Sequence, residues 1–209
     1  RLLTVTGVQT CALPIFIQDG TPGYFTAPFV IRKDGPVKTV ADLKGKRLAS
    51  NAIGSASDAA MRVFLRRHGL QDRDFTTVEA NFANMPAMLA DNKVDMINLQ
   101  PQFARGFIEN PNYVPLFTTA DAVGPSQTVF WAMRADFIAK NRAALVDYFE
   151  DHMRAMRWFL DPKNHTQAVD IAAAALKAPR ETLEYAFTKQ DYYRSPDARP
   201  LLDAIQVDI

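Results

Sequence analysis

The chain has 209 residues, 48% hydrophobic and 22% charged, with a formal net charge of +1. That length allows one large or two small domains with a buried core. The composition is that of a water-soluble globular protein, with no basic excess for nucleic acid or an anionic membrane surface and no apolar run near the ~18 residues of a membrane span.

Residues 5–15, VTGVQTCALPI, resemble the in-frame translation of a sequencing-library adapter. Residues 1–15 therefore read as a non-native segment, and genuine sequence begins near Phe16. On that reading the single cysteine, Cys11, is foreign. The remainder then has no disulfide framework and no thiol chemistry.

Tyr24 to Arg32 is β-rich and reads as a strand interrupted by Pro28, followed by a Lys33-Asp34-Gly35-Pro36 turn. A short helix at Val40–Leu43 leads through Lys44-Gly45-Lys46 into a strand over Arg47–Asn51. The small-residue loop Ile53-Gly54-Ser55-Ala56-Ser57 then delivers the chain to a helix from Asp58 to His68, which Gly69 ends. Ala60, Val63 and Phe64 fall on one side of it; Asp58, Arg62, Arg66 and Arg67 read as the solvated side. Next come a strand (Phe75–Glu79), a short helix (Met85–Ala90) and a buried strand (Val94–Leu99). This β-α-β-α-β order is that of a sheet covered by helices.

Gln100 to Phe103 carries no assigned element; Asn110-Pro111-Asn112 reads as a turn, Tyr113–Phe117 as a strand, Gly124-Pro125-Ser126 as loop and Val129–Met133 as a strand. Beyond Met133 the pattern is helical. Asn141 can cap a long helix whose Leu145, Phe149, Met153, Met156 and Leu160 share a face, and Pro162 stops it. Further helices are predicted over Thr166–Lys177 and Arg180–Gln190.

Catalytic patterns are thin. His68, His152 and His165 have no partner at metal-ligand spacing. The pair Glu150-Asp151 points apart on a helix, and no Gly-Lys-Ser/Thr follows the Gly/Ser loop. What remains is the strand-loop-helix itself. Either Ser57 is an ordinary N-cap, or free N–H groups, the helix dipole and the Ser55 and Ser57 hydroxyls converge on an anion. No catalytic residue, metal ligand or cofactor is assigned.

Six pieces occur in an order that resembles a known family: FVIRKDGPVKTVADLKGKRLA, IGSASDAAMRVFLRRHGL, MLADNKVDMI, Gln100-Pro101, VFWAMRADFIAKNRAALVDYFE and YYRSPDARPLLDAIQ. Together they are similar to the periplasmic substrate-binding proteins of ABC importers of the nitrate/sulfonate/taurine type. The resemblance implies an α/β periplasmic-binding-protein type II fold: two lobes joined by hinge strands, with the first lobe incomplete in this chain. It places a hinge strand near Phe29–Arg32 and the return strand near Val129–Met133. Residues 16–33 become hinge and remnant of the first lobe, 34–126 a complete second lobe, and 127–209 the return strand with C-terminal helices of the first lobe.

The implied function is reversible capture, without catalysis, of a small polar or anionic solute in an interlobe cleft, for delivery to a membrane permease. The implied protein is monomeric, periplasmic or anchored outside the cytoplasmic membrane, and without nucleic-acid partners. Ligands of open α/β sheets lie beyond the strands' carboxyl ends. That selects Gly54, Ser55, Ala56 and Ser57, and beside them Asn98, Gln100 and Gln102; the return strand adds Gln127 and Trp131. Two other classes share the fold. One is the effector-binding domain of a transcription regulator, against which the ADLKGK turn and the YYRSPDARP piece speak. The other is an enzyme like the thiamin-pyrimidine synthases, whose cysteine cluster has no counterpart here.

Overall fold

A computed structural model describes residues 17–197, 199 and 201. The adapter-like segment and Cys11 lie outside the described residues. The chain divides into two compact units, one of Asp19–Ser126 and one of Gln127–Ile209 together with the start of the chain up to Gln18.

The first unit is built on five strands: β2 (Pro28–Arg32), β3 (Arg47–Ser50), β4 (Thr76–Glu79), β5 (Met96–Asn98) and β6 (Tyr113–Thr118), in the order β4-β3-β5-β2-β6. β3 runs parallel to β4 and β5; β2 runs antiparallel to β5 and β6. Alternation along the strands divides the core between the two faces of the sheet. Phe29, Ile31, Leu48 and Met96 pack with Met61 and Leu65 of α1 (Ala56–Arg67) and with Phe117. Val30, Ala49 and Ile97 pack with Met85 and Leu89 of α2 (Met85–Ala90) and with Ala104 of α3 (Pro101–Ile108). Rings of Phe29, Phe117 and Phe64 stack in series, with centroids 4.4 and 4.0 Å apart.

Phe29–Arg32, expected near a hinge, is an interior strand between β5 and β6. Its Phe-Val-Ile run buries both faces, which only an interior strand provides. Pro28 is tolerated because it is the first residue of the strand. Two helices were missed. Pro101, to which no element was assigned, opens α3, where its missing N–H costs nothing. α4 (Thr119–Val123) is set by a capping box between Thr118 and Asp121.

In the second unit, β1 (Ile17–Asp19) lies between β7 (Ser126–Val129) and β8 (Tyr193–Arg194). The strand predicted at Val129–Met133 is thus displaced towards the N-terminus, and α5 (Ala135–Lys140) follows, inside the stretch read as helical but not delimited there. α6 (Arg142–Leu160) and α7 (His165–Leu176) match the predicted helices to within a residue. Asn141 does sit at the N-cap of α6, but its amide donates to Phe137 O. Of the shared face on α6, only Met156 is fully buried.

The helix predicted over Arg180–Gln190 is a single 3-10 turn, Arg180–Leu183. Beyond it Phe187 takes a left-handed φ of 63°, and its N–H donates to Asp191 Oδ2. The Thr188 hydroxyl donates to Tyr185 O. Side chains that bond the local backbone displace the helix.

Candidate functional site

The strand directions of the first unit bring Ser50, Glu79 and Asn98, the last residues of β3, β4 and β5, to one edge of the sheet. Ser50 is registered against Glu79, Asn98 against Phe29, and Thr118 against Pro28. This is the edge at which the chain leaves β3 for the Asn51–Ser55 loop and α1. Gly54 makes the turn with φ of +81°, and the direction a Cβ would take is open space.

The N-cap of α1 is Ser55 and not Ser57. Ser55 Oγ accepts from Asp58 N–H at 3.3 Å, and Asp58 Oδ2 accepts from Gly54 N–H at 2.9 Å. The cap lies two residues earlier than expected because Asp58, at N3, reaches back past it. Asp58 was placed on a solvated face. It is 1% exposed, held by Arg62 Nε at 2.9 Å, while Arg62 also reaches Thr77 and Asp72. The hydrogen bond that Arg62 donates to Asp58 raises the Arg62 pKa above its ordinary value, and the bond from Arg66 holds Asp72 below 3.8.

Several of the loop's donors, Gly54 N–H among them, are occupied from within. Ser55 Oγ and Ser57 Oγ both donate to Asn51 Oδ1, at 2.8 and 2.7 Å. Ile53 N–H donates to Glu79 Oε1 at 2.7 Å, while the Ile53 side chain is 62% exposed. These bonds occupy the two hydroxyls and the Ile53 N–H that were expected to face an anion. Sequence reasoning missed Glu79 and Asn51. The signal for Glu79 was present: it ends a strand parallel to β3 and is the only charged residue among 50–57, 79–84 and 97–104.

Of the other expected site residues, Asn98 is buried and its amide is bound to Pro28 O at 3.4 Å, while Gln100 donates to Asn98 Oδ1 at 3.3 Å. Gln102 is exposed in the first turn of α3. The structure thus brings Gly54–Ser57 together and links Asn98 to Gln100 on the strand next to β3. Asp19, near the same edge, is 3% exposed and accepts from Ala27 N–H. Burial pushes its pKa above 3.8, partly offset by bonds from Thr26, Ala27, Thr119 and Gly20.

Gln127 and Trp131 belong to the second unit. Gln127, expected to donate to a ligand, is 5% exposed and committed to the fold. Its Nε2 donates to Ile17 O and Val129 O, and its Oε1 accepts from Leu201 N–H. A buried amide between strands is satisfied by the backbone around it. Trp131 is half-exposed, edge-on to Tyr148. It lines an open apolar cavity of about 600 Å³ within this unit, with Met133, Leu145, Phe149 and Met153. Among the described residues no group of three or more His, Cys, Asp or Glu is placed to hold a metal, and no helix is long and apolar enough to cross a membrane.

Residues 24–107 match the model of a family described as NMT1/THI5 like. No protein of curated function matches the sequence. Among solved structures, the chain is similar to the periplasmic aliphatic sulphonate binding protein SsuA from Escherichia coli: 20% identity, TM-score 0.63, covering 87% of this chain and 60% of that one. It is similar to the periplasmic nitrate-binding protein NrtA from Synechocystis PCC 6803: 18% identity, TM-score 0.59, covering 88% and 53%. It is also similar to the desulfurization enzyme DSZB: 16% identity, TM-score 0.57, covering 93% and 69%. This chain therefore spans between half and two thirds of the length of the two binding proteins. One fold serves capture and catalysis among these neighbours, so function has to be argued from the site. The resemblance read from the sequence is met by both comparisons: the chain has the α/β type II fold of periplasmic sulfonate- and nitrate-binding proteins, and its sequence matches the NMT1/THI5-like model over the sheet edge that carries Gly54–Ser57.

Proposed function

We propose that this chain is the solute-capturing component of an ABC importer, working outside the cytoplasmic membrane and passing a small polar solute to a permease. The observation that carries this reading is the edge of the five-stranded sheet. Three parallel strand ends, the open Gly54 turn and the polar residues Asn51, Ser55, Ser57, Gln100 and Gln102 meet there, without any arrangement of base and nucleophile. Open α/β sheets bind ligands at this place, and Gly54 lets a ligand approach the backbone closely. Gln127 contributes by holding its strand and not by touching solute. No bond is made or broken in capture. The solute shifts a conformational equilibrium by its differential affinity for the two states.

The test is a thermal melt of the 209-residue chain against a panel of sulfonates, nitrate, aromatic acids and pyrimidines. A captured solute raises Tm in proportion to the logarithm of its concentration. Hydrolysis or desulfurisation of any panel member at a rate above the blank would replace capture with catalysis. A melt that no member of the panel shifts would remove the reading.

A further inference from the structure

Asp19 is the last residue of β1 and the first of the unit that holds the five-stranded sheet. It is 3% exposed, and the groups that reach its carboxylate are neutral: the Ala27 and Gly20 N–H groups and the Thr26 and Thr119 hydroxyls. The Ala27 bond is long, 3.4 and 3.3 Å to the two oxygens, whereas backbone N–H groups meet Glu79 at 2.7 Å and Asp191 at 2.8 Å. A buried charge held so loosely is poorly compensated. The neutral acid is better served. Thr119 Oγ1 lies 3.3 Å from Ala27 O and can turn its proton there, which leaves an oxygen lone pair for the acid proton of Asp19.

The same corner is fastened around the carboxylate. Thr119 N–H donates to Ala27 O at 2.9 Å, and Ala120 N–H donates to Thr26 Oγ1 at 3.1 Å, so the Gly20–Ala27 segment is tied to α4. Gly20, at φ of +81°, comes so near that a Cβ on it would lie 2.9 Å from Gly124 O. The charged groups around the corner are engaged elsewhere. Tyr24 is the titratable side chain of the Gly20–Ala27 segment, and β7 carries none. Asp121 of α4 accepts from Thr118, Arg67 of α1 donates to Ala122 O, and Arg194 of β8 is taken by Asp191.

We infer that this corner is a proton-operated latch. With Asp19 protonated, the Gly20–Ala27 segment stays fastened to α4; with Asp19 ionised, the corner opens locally and water reaches the carboxylate. The latch sets how firmly the first unit holds the chain it receives from β1. It belongs to that unit alone and stands apart from the capture reading. The upward push that burial gives the Asp19 pKa agrees in sign. The closed corner binds the proton more tightly than the open one, so opening grows as pH rises from 3.8 through the raised value.

Hydrogen exchange of the 209-residue chain tests this, read by mass spectrometry and corrected for the intrinsic pH dependence of exchange. From about pH 4 to about pH 7, protection of peptides over 20–27 and 118–124 falls about threefold or more, while that of β3 is unchanged. Asp19→Asn, neutral at every pH, abolishes the fall. Thr119→Val, which removes the hydroxyl that receives the acid proton, makes it smaller. Circular dichroism checks that each variant is folded, and Thr119→Val decides alone if Asp19→Asn is not. Protection that is level or rises with pH in the wild type overturns the inference. So does a fall that β3 shares, or one that a folded variant leaves at full size.

Discussion

Asp191→Ala is the sharpest test of how the second unit is held. Asp191 and Arg194 are 1% and 4% exposed and form a direct ion pair. The same carboxylate accepts from Phe187 N–H at 3.1 Å and Tyr192 N–H at 2.8 Å, and the Arg194 guanidinium also covers the Phe187 ring. Together with burial, the Asp191 charge pushes Tyr185 up to about 12. Removing the carboxylate leaves a buried guanidinium uncompensated, at a cost of about 3–5 kcal/mol. The two orphaned N–H groups act in the same direction, though not additively. Against a usual domain stability of about 5–15 kcal/mol, that loss takes a large share of the whole. Both tryptophans, Trp131 and Trp158, lie in this unit, so tryptophan fluorescence in urea reads it alone. The midpoint falls by about 1 M or more, taking m near 2 kcal/mol/M. Asp191→Ala with Arg194→Met leaves no buried charge and recovers about 2 kcal/mol of the loss. A single-variant loss below about 1 kcal/mol, the range of an exposed pair, refutes the reasoning. So does a double variant no more stable than the single one.

Other expectations concern charge and capping. The folded state binds the Asp19 proton more tightly than the unfolded chain, because its pKa is raised from 3.8. Stability present below pH 3.8 is then lost as pH rises through the raised value, so wild-type stability minus that of Asp19→Asn falls from acid to neutral pH; a difference that rises with pH contradicts this. Burial lowers His152 below 6.5, so its contribution is present above pH 6.5 and lost as pH falls towards the folded value. Fluorescence melts of His152→Gln are accordingly flatter between pH 7 and 5 than those of wild type, and parallel curves count against it. Ser55→Ala removes the cap of α1, lowers stability by about 1 kcal/mol and weakens solute binding, whereas Ser57→Ala leaves the helix end intact; equal losses from the two restore Ser57 as the cap.

What was legible in the chain followed from periodicity and from turn chemistry. Short β-rich apolar runs at Phe29–Ile31 and Leu48–Ala49 give strands, and the small-residue loop gives the helix start, because those patterns are local. Arg180–Gln190 misled because its helical composition is overruled by Asp191, whose carboxylate holds Phe187 in a left-handed turn. Asp58 misled because i, i+4 spacing with Arg62 reads as a wet face, whereas the pair is folded inward against Gly54 and Thr77. At the site, residue types were read correctly as polar, but not which donors were already spent. That depends on Glu79, 26 positions from Ile53 in sequence and brought alongside only by the parallel pairing of β3 with β4.

That pairing also bears on how the turn before α1 is stabilised. The first N–H groups of a helix and of the turn before it must find acceptors in the absence of a ligand. Water can serve them, but Asp58 and Glu79 do so with charge and fixed position. Freeing the Ile53 and Gly54 amides, by Glu79→Ala combined with Asp58→Asn, therefore loosens the turn and destabilises the first unit, read as a lower urea midpoint by circular dichroism; an unchanged midpoint shows that these two carboxylates do not hold the turn.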